Sequence, residues 1–314
     1  MVQVDLITGF LGAGKTTFLR RYVRYLVEQG HNVCILENDF GAVNVDAMLV
    51  QDLLGPKCDL ETISGGCDCD THQRRMRTKL IAMAMRGFDR VVVEPSGIFD
   101  VDEFFDVLRD DPLDRWYQIG NVIAIVDAML PEQLSPQSEY LLASETANAG
   151  RVLLSRSQQA GPAQCEAACA HLARALEGCK CSRRFAPEEI LVKDWDALTD
   201  ADLAAIAACG HRQASCEKLH FDEHEAFSSL CFLEQHLTLE QLQAAADRLF
   251  ADPACGHVLR VKGFAPAPDT ATGWLELNAT AAGKTLAPIP QGQDVLIVIG
   301  EGLDKTAIEA RLKG

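Results

Sequence analysis

The 314-residue sequence predicts an α/β fold, a domain built on a mainly parallel sheet followed by a smaller α+β C-terminal domain. Three observations carry that prediction. Apolar, β-branched runs alternate with helix-period stretches through the first two-thirds of the chain, the rhythm of a parallel sheet covered on both faces. The first of these runs leads into Gly9-Phe10-Leu11-Gly12-Ala13-Gly14-Lys15-Thr16-Thr17, which fits G-x-x-x-x-G-K-[ST] and opens a helix. Beyond residue 214 the rhythm changes to strand-like pieces around one clear helix, so the domains are expected at 1–214 and 215–314.

Strands are expected at 2–7, 33–37, 90–94, 121–127, 151–155 and 189–193. The helix after the glycine-rich stretch carries Phe18, Leu19, Tyr22, Val23 and Leu26 on one face. Ligands bind such sheets at the carboxyl ends of the strands, so the loops after residues 7, 37, 94, 127 and 154 should converge on one site. In the second domain the strand-like pieces are 226–233, 256–263, 273–278 and 293–299, with helices at 238–250 and 304–313.

Composition narrows the function. Apolar residues make up 48% and charged residues 24%, ordinary for a chain that buries a full core. A net charge of −16 argues against nucleic acid or an anionic membrane as partner, since both demand a basic face. No apolar run approaches the ~20 residues needed to cross a bilayer. The chain enters its first strand almost at once, leaving no room for a signal peptide, so a cytoplasmic protein is expected. Its twelve cysteines are then read as thiols rather than as a disulfide framework. Cys34 and Cys231 read as small buried hydrophobes, whereas Cys67 with Cys69, and Cys165, Cys169, Cys179 and Cys181, are spaced too closely to dismiss.

The glycine-rich stretch has the chemistry of a phosphate loop, the mark of a P-loop NTPase domain. Gly9, Gly12 and Gly14 let the backbone around Ala13 curl so that successive N–H groups point at phosphate oxygens, and the helix from Lys15 adds its positive dipole end. Lys15 is expected on the β- and γ-phosphates, Thr16 on Mg2+, and Thr17 beside it among the nucleotide-binding residues. Val91-Val92-Val93-Glu94-Pro95-Ser96-Gly97 is a buried strand ending in an acid, and a carboxylate beside a phosphate loop holds Mg2+ directly or through water. Glu37-Asn38-Asp39-Phe40-Gly41 follows the second strand, where a segment responsive to the γ-phosphate is expected. Asp39 is the candidate there for orienting the attacking water. In Gly65-Gly66-Cys67-Asp68-Cys69-Asp70-Thr71-His72, two thiols, a carboxylate and an imidazole offer ligands for Zn2+ or a similar cation.

Together these motifs resemble the CobW-like family of metallochaperone GTPases, relatives of the urease and hydrogenase nickel-insertion GTPases. The stretch Gly9–Thr17 is similar to that family's G-F-L-G-A-G-K-T-T, Asn38–Gly41 to its N-E-F-G, and Glu94–Gly97 to its E-[TPC]-[ST]-G. Gly66–Asp70 lies where the family has G-C-x-C-C, and 259–264 and 295–300 resemble its C-terminal domain. The resemblance implies a Mg2+-dependent GTPase whose thiols hold zinc or cobalt for delivery to a client. Two departures stand out. The third family cysteine is Asp70 here, leaving Glu37, Asp70 and His72 to complete a site begun by Cys67 and Cys69, with softness and affinity for Zn2+ reduced. The family's [NT]-K-x-D becomes Ser155-Arg156-Ser157-Gln158. Gln158 lacks the charged acceptor that reads guanine, and charge-assisted bonds of ~1.5–3 kcal/mol are at stake, so ATP stays open beside GTP. Arg156 replaces the lysine whose stem stacks on the base.

The leading expectation is a GTP-hydrolysing metallochaperone in which Lys15 stabilises transferred charge, Thr16 and Glu94 hold Mg2+, and Asp39 positions water. Its client would be a metalloenzyme or another apo-protein, and a homodimer stays open. The alternative is a nucleotide-switched binding protein with weak or no turnover, acting on a metal- or corrinoid-dependent enzyme. Cys165, Cys169, Cys179 and Cys181 form either a closed Zn2+ site or scattered thiols, and His220 and His224 either a second ion site or surface polarity.

Overall fold

The structure, a computed structural model, describes residues 1–39, 49–64, 69–95, 101–214, 216–217, 227–268, 270, 272–281, 283–289 and 292–312. For 38, 39, 64, 69–72, 102 and 103 it describes the backbone alone. The described residues up to Glu217, Leu49 apart, form one compact unit, and those from Phe227 form another.

The first unit is built on seven strands, β1 (Val2–Thr8), β2 (Val33–Asp39), β3 (Cys58–Ser64), β4 (Arg90–Glu94), β5 (Tyr117–Asp127), β6 (Arg151–Ser155) and β7 (Ile190–Leu191). Their order is β3-β2-β4-β1-β5-β6-β7, and each neighbouring pair is parallel. The described helices are α1 (Lys15–Glu28), α2 (Cys69–Met85), α3 (Val101–Arg109), α4 (Leu113–Trp116), α5 (Pro136–Ala147), α6 (Ser157–Gly178) and α7 (Asp200–Ile206). As the helical period requires, Phe18, Leu19, Tyr22, Val23 and Leu26 of α1 are buried, against Ile35, Val92, Ile123 and Ile125 of three strands. With every strand parallel, the carboxyl ends of β1, β2, β4, β5 and β6 lie at one edge of the sheet, where the sequence placed the site.

β1 also buries a charge. Asp5 is fully enclosed and accepts hydrogen bonds from Arg90 Nη1 (2.6 Å), the Tyr22 hydroxyl (2.8 Å), and the Asn121 backbone N–H (2.8 Å) and Nδ2 (2.9 Å). These four donors, one of them a guanidinium, make that burial tolerable.

β3 is absent from the sequence expectations because it is an edge strand. Its polar Asp59 and Glu61 pair with Arg86 and Lys79 at the surface, so the apolar run that marks a doubly covered strand is missing. β5 starts at Tyr117, ahead of the expected 121, and β7 is only two residues of the expected 189–193.

The second unit is an antiparallel sheet of β8 (Phe227–Leu233), β9 (His257–Ala267), β10 (Gly273–Thr280), β11 (Gly283–Ile289) and β12 (Val295–Glu301), ordered β11-β10-β9-β12-β8. Helices α8 (Leu239–Ala251) and α9 (Lys305–Leu312) contribute Leu242, Ala245, Leu249, Ile308 and Leu312 to a core with Val261, Leu277 and Val298. Thr238 caps α8 in a reciprocal box with Gln241. β11 escaped the sequence because six of its seven residues are exposed, and its backbone is carried by the ladder with β10. Among the described residues no helix is long and apolar enough to cross a membrane.

Candidate functional site

β1 ends at Thr8 and α1 begins at Lys15, and the six residues between them reverse the chain. Gly9 has φ 141°, and a Cβ there would overlap the Ile125 carbonyl oxygen of β5, so this position demands glycine. Gly14, with φ 101°, caps α1 in the left-handed region. The first turn of α1 holds no acidic side chain of its own, so its N–H groups present partial positive charge to the loop. Lys15 is buried against this loop and donates from Nζ to the Gly9 carbonyl at 2.7 Å. Ala13 is buried, its N–H bonded to the Phe10 carbonyl at 3.1 Å, and Thr17 is exposed in the first turn of α1.

Thr16 and Glu94 come together across two elements. The Thr16 hydroxyl donates to Glu94 Oε1 at 2.7 Å, joining the start of α1 to the end of β4. A hydroxyl and a carboxylate converging beside a phosphate loop are the hard oxygen donors Mg2+ takes, so the donor set fits the ion. Glu37, at the carboxyl end of β2, is buried and stands in register with Glu94 on β4. Of the other expected metal ligands, Cys67 lies outside the described residues, as do the side chains of Cys69, Asp70 and His72 at the start of α2. The Asp39 side chain at the end of β2 also lies outside them, as do His220 and His224. Among the described residues, no group of three or more His, Cys, Asp or Glu side chains is placed to hold a metal.

On the far side of the loop stand β6 and the start of α6. Ser155 ends β6 buried, and Arg156 follows at φ 54°. The expected stacking residue is locked in place. The Arg156 guanidinium pairs with Asp127 at the end of β5, Nε donating to Oδ1 at 3.0 Å and Nη2 to Oδ2, while Nη2 also reaches the Gly12 carbonyl at 3.3 Å. Arg156 therefore ties β5, β6 and the phosphate loop together. Burial pushes the Asp127 carboxyl up, and Arg156 and the Met129 N–H oppose it. Gln158 is exposed on the first turn of α6.

Two members of this site escaped the sequence. Asp127 looked like a strand end, and its partner became visible only once β5 and β6 lay side by side. Trp195 follows β7, at a strand end left out of the convergent set. Its ring meets Phe18 edge-on at 5.5 Å, and its Cη2 lies 3.4 Å from where a Cβ on Gly14 would stand. Trp195 Nε1 and Ser155 Oγ are both buried without a hydrogen-bond partner among the described residues. The signal was Lys193-Asp194-Trp195-Asp196, an aromatic within a polar turn after an apolar run.

The cysteine reading needs two corrections: one pair is a disulfide rather than two thiols, and Cys231 is half-buried rather than buried. Cys181 is disulfide-linked to Cys216, while Cys165, Cys169 and Cys179 are free, so the four-thiol group does not assemble. Cys216 lies 35 residues beyond Cys181, and only the return of the chain after α7 brings it near.

The model of the "CobW/HypB/UreG, nucleotide-binding domain" family matches residues 3–182. The chain is 32% identical over 174 residues to the zinc chaperone YjiA of Escherichia coli (strain K12), covering 52% of each protein. It is 28% identical over 163 residues to the zinc chaperone YeiR of the same organism, covering 52% of this chain and 48% of that one. The chain thus spans about half the length of the curated relatives it matches. Among solved structures, Zn(II)-bound YjiA GTPase from E. coli aligns over 100% of this chain and 98% of that one, at 20% identity and a TM-score of 0.38. A family model spanning β1 through the residues just beyond α6 matches the unit that carries the phosphate loop, and the chain belongs to the CobW/HypB/UreG family of nucleotide-binding domains.

Proposed function

We propose that the chain is a cytoplasmic, Mg2+-dependent GTPase that couples its nucleotide state to binding a transition metal, zinc or cobalt, and delivering it to a client protein. The observation that carries this reading is the convergence of Lys15, Thr16 and Glu94 at the sheet's carboxyl edge, with Glu37 in register beside Glu94. In the nucleotide complex Lys15 exchanges the Gly9 carbonyl for phosphate oxygens, and the loop amides with the α1 dipole stabilise negative charge on the transferred group. Thr16 and Glu94 would hold Mg2+, which when bound neutralises charge on the β- and γ-phosphates. Asp39, two residues beyond Glu37 on β2, is assigned to positioning water. The cargo ion would be taken by Cys67 and Cys69 with Glu37, Asp70 and His72, a set harder than three thiolates.

That one strand, β2, supplies both Glu37 and Asp39 is the route by which nucleotide state reaches the metal ligands. The base is assigned as guanine on family membership, with Arg156 in the lysine's place. The test is hydrolysis of GTP and ATP, with and without Zn2+ or Co2+, by wild type and Lys15→Ala. Multiple turnovers of GTP that metal changes and Lys15→Ala abolishes support the reading. Binding without turnover replaces it with a nucleotide switch, and turnover retained by Lys15→Ala removes the mechanism. Cys67→Ser with Cys69→Ser should lower metal stoichiometry, and undiminished binding moves the cargo site elsewhere.

A further inference from the structure

The Cys181–Cys216 bond lies away from the phosphate loop, and nothing in the proposed mechanism uses it. Three ties hold residues 216–217 against the chain just after α6. They are the disulfide, the Glu217 N–H donating to the Cys179 carbonyl at 2.9 Å, and an exposed ion pair of Lys180 with Glu217 at 2.6 Å. Upstream, the same segment is fixed independently. Ala149 bridges His211, the Arg212 N–H donates to the Asn148 carbonyl at 3.0 Å, and the Ala214 N–H donates to Asn148 Oδ1 at 3.3 Å. The disulfide is thus the strongest tie on the last described residues of this unit, and the ion pair beside it is too exposed to replace it.

The two sulfurs are not equivalent. Cys181 is 3% exposed, whereas Cys216 is half-buried and lines a cavity of ≈ 370 Å³. Arg109, Arg212, His211, Asn148 and Gln213 share that lining. The two guanidiniums face one lining carboxylate, Asp106, which pairs with Arg109 at 3.2 Å; Arg212 has Glu189 at 3.8 Å. The cavity is polar, its lining carries two guanidiniums and one carboxylate, and it reaches the half-buried Cys216.

We propose that Cys181–Cys216 is a reversible thiol–disulfide exchange site whose co-reactant is a small anionic thiol of the glutathione class, entering through this cavity. In the reducing compartment proposed above, such a bond is transient and regulatory rather than structural. The small thiolate attacks Sγ of Cys216, the Sγ–Sγ bond breaks, and its electron pair leaves on Sγ of Cys181, which takes a proton. A second small thiol then attacks the sulfur bound to Cys216, releasing the small-molecule disulfide and the Cys216 thiol. The sum is one protein disulfide and two small thiols giving one protein dithiol and one small disulfide. The reverse reaction, driven by the oxidised small disulfide, restores the bond. Reduction frees residues 216–217 while 211–214 keep their own hydrogen bonds.

The experiment uses the full chain treated with oxidised or reduced glutathione, then thiol alkylation, non-reducing digestion and mass mapping of each cysteine. The expected result is a Cys181–Cys216 linked peptide after the oxidised form and two alkylated cysteines after the reduced form. Cys181→Ser should trap a glutathione adduct on Cys216, and Cys216→Ser should give no adduct on the buried Cys181. Hydrogen exchange of the wild type should show the Glu217 amide losing protection on reduction while the Arg212 and Ala214 amides keep theirs. Free thiols at both positions after oxidised glutathione overturn the proposal, as do equal adducts in the two variants. Protection from alkylation that needs Zn2+ and vanishes with a chelator also overturns it, making the pair a metal site. The wild-type measurements need no variant to fold.

Discussion

Replacing Arg156 by alanine should loosen the phosphate loop from a distance, and the structure sets the size of the effect. The Arg156 and Asp127 side chains are 19% and 12% exposed. Their pair therefore lies between surface ion pairs, worth about 0–1 kcal/mol, and buried ones, whose disruption costs about 3–5 kcal/mol. We expect Arg156→Ala to destabilise the first unit by about 2 kcal/mol, because Asp127 is left enclosed with the Met129 N–H at 2.9 Å. Asp127→Ala strands Arg156 and should cost a similar amount. The double variant should cost less than the sum of the two by about 1–2 kcal/mol, since each single change already forfeits the whole interaction. Losing the Gly12 tether should also weaken nucleotide binding by roughly tenfold, or about 1.4 kcal/mol. Urea unfolding followed by tryptophan fluorescence reads the cycle, and calorimetric titration of GTPγS with Mg2+ reads the affinity. Single effects that add within about 0.5 kcal/mol would refute the coupling. Unchanged affinity would refute the tether.

Asp5→Asn should cost about 3–5 kcal/mol in urea unfolding, because Arg90 loses its charged partner inside the sheet; a cost below about 1 kcal/mol would mean that the hydrogen bonds rather than the charge hold β1. Glu189 accepts from Arg183 at 2.9 Å and from the Ala186 N–H at 2.9 Å, and these hold its carboxyl below the usual glutamate value. A depressed carboxylate contributes stability that is present above its unfolded pKa and lost as pH falls through its folded one. The wild type should therefore lose stability relative to Glu189→Gln on acidification below the ordinary glutamate range, and parallel pH profiles of the two would contradict this. Burial pushes the Cys34 thiol up to about 12 and the Cys58 thiol to about 11. Both should resist iodoacetamide at neutral pH until the chain is unfolded, and labelling at the rate of a free peptide thiol would show that β2 and β3 open readily.

What the sequence by itself determined is what local chemistry and period carry. Gly9, Gly12, Gly14 and Lys15 announce a phosphate loop because that turn needs left-handed backbone and a cation within one short stretch. The doubly buried strands and the Phe18–Leu26 face of α1 announce a covered parallel sheet because burial leaves a run or a period in the residues themselves. The parallel sheet then implied one functional edge, and Thr16 and Glu94 do meet there, 78 residues apart in the chain. The tertiary structure alone decided the rest. The edge strands β3 and β11 form because a neighbour offers its hydrogen bonds, and a half-solvated strand leaves no apolar run. Arg156 grips Asp127 and Gly12, Trp195 seats beside Gly14, and Cys181 finds Cys216 through approaches between distant segments. Such partners are chosen by the path of the backbone, which no single stretch of residues encodes.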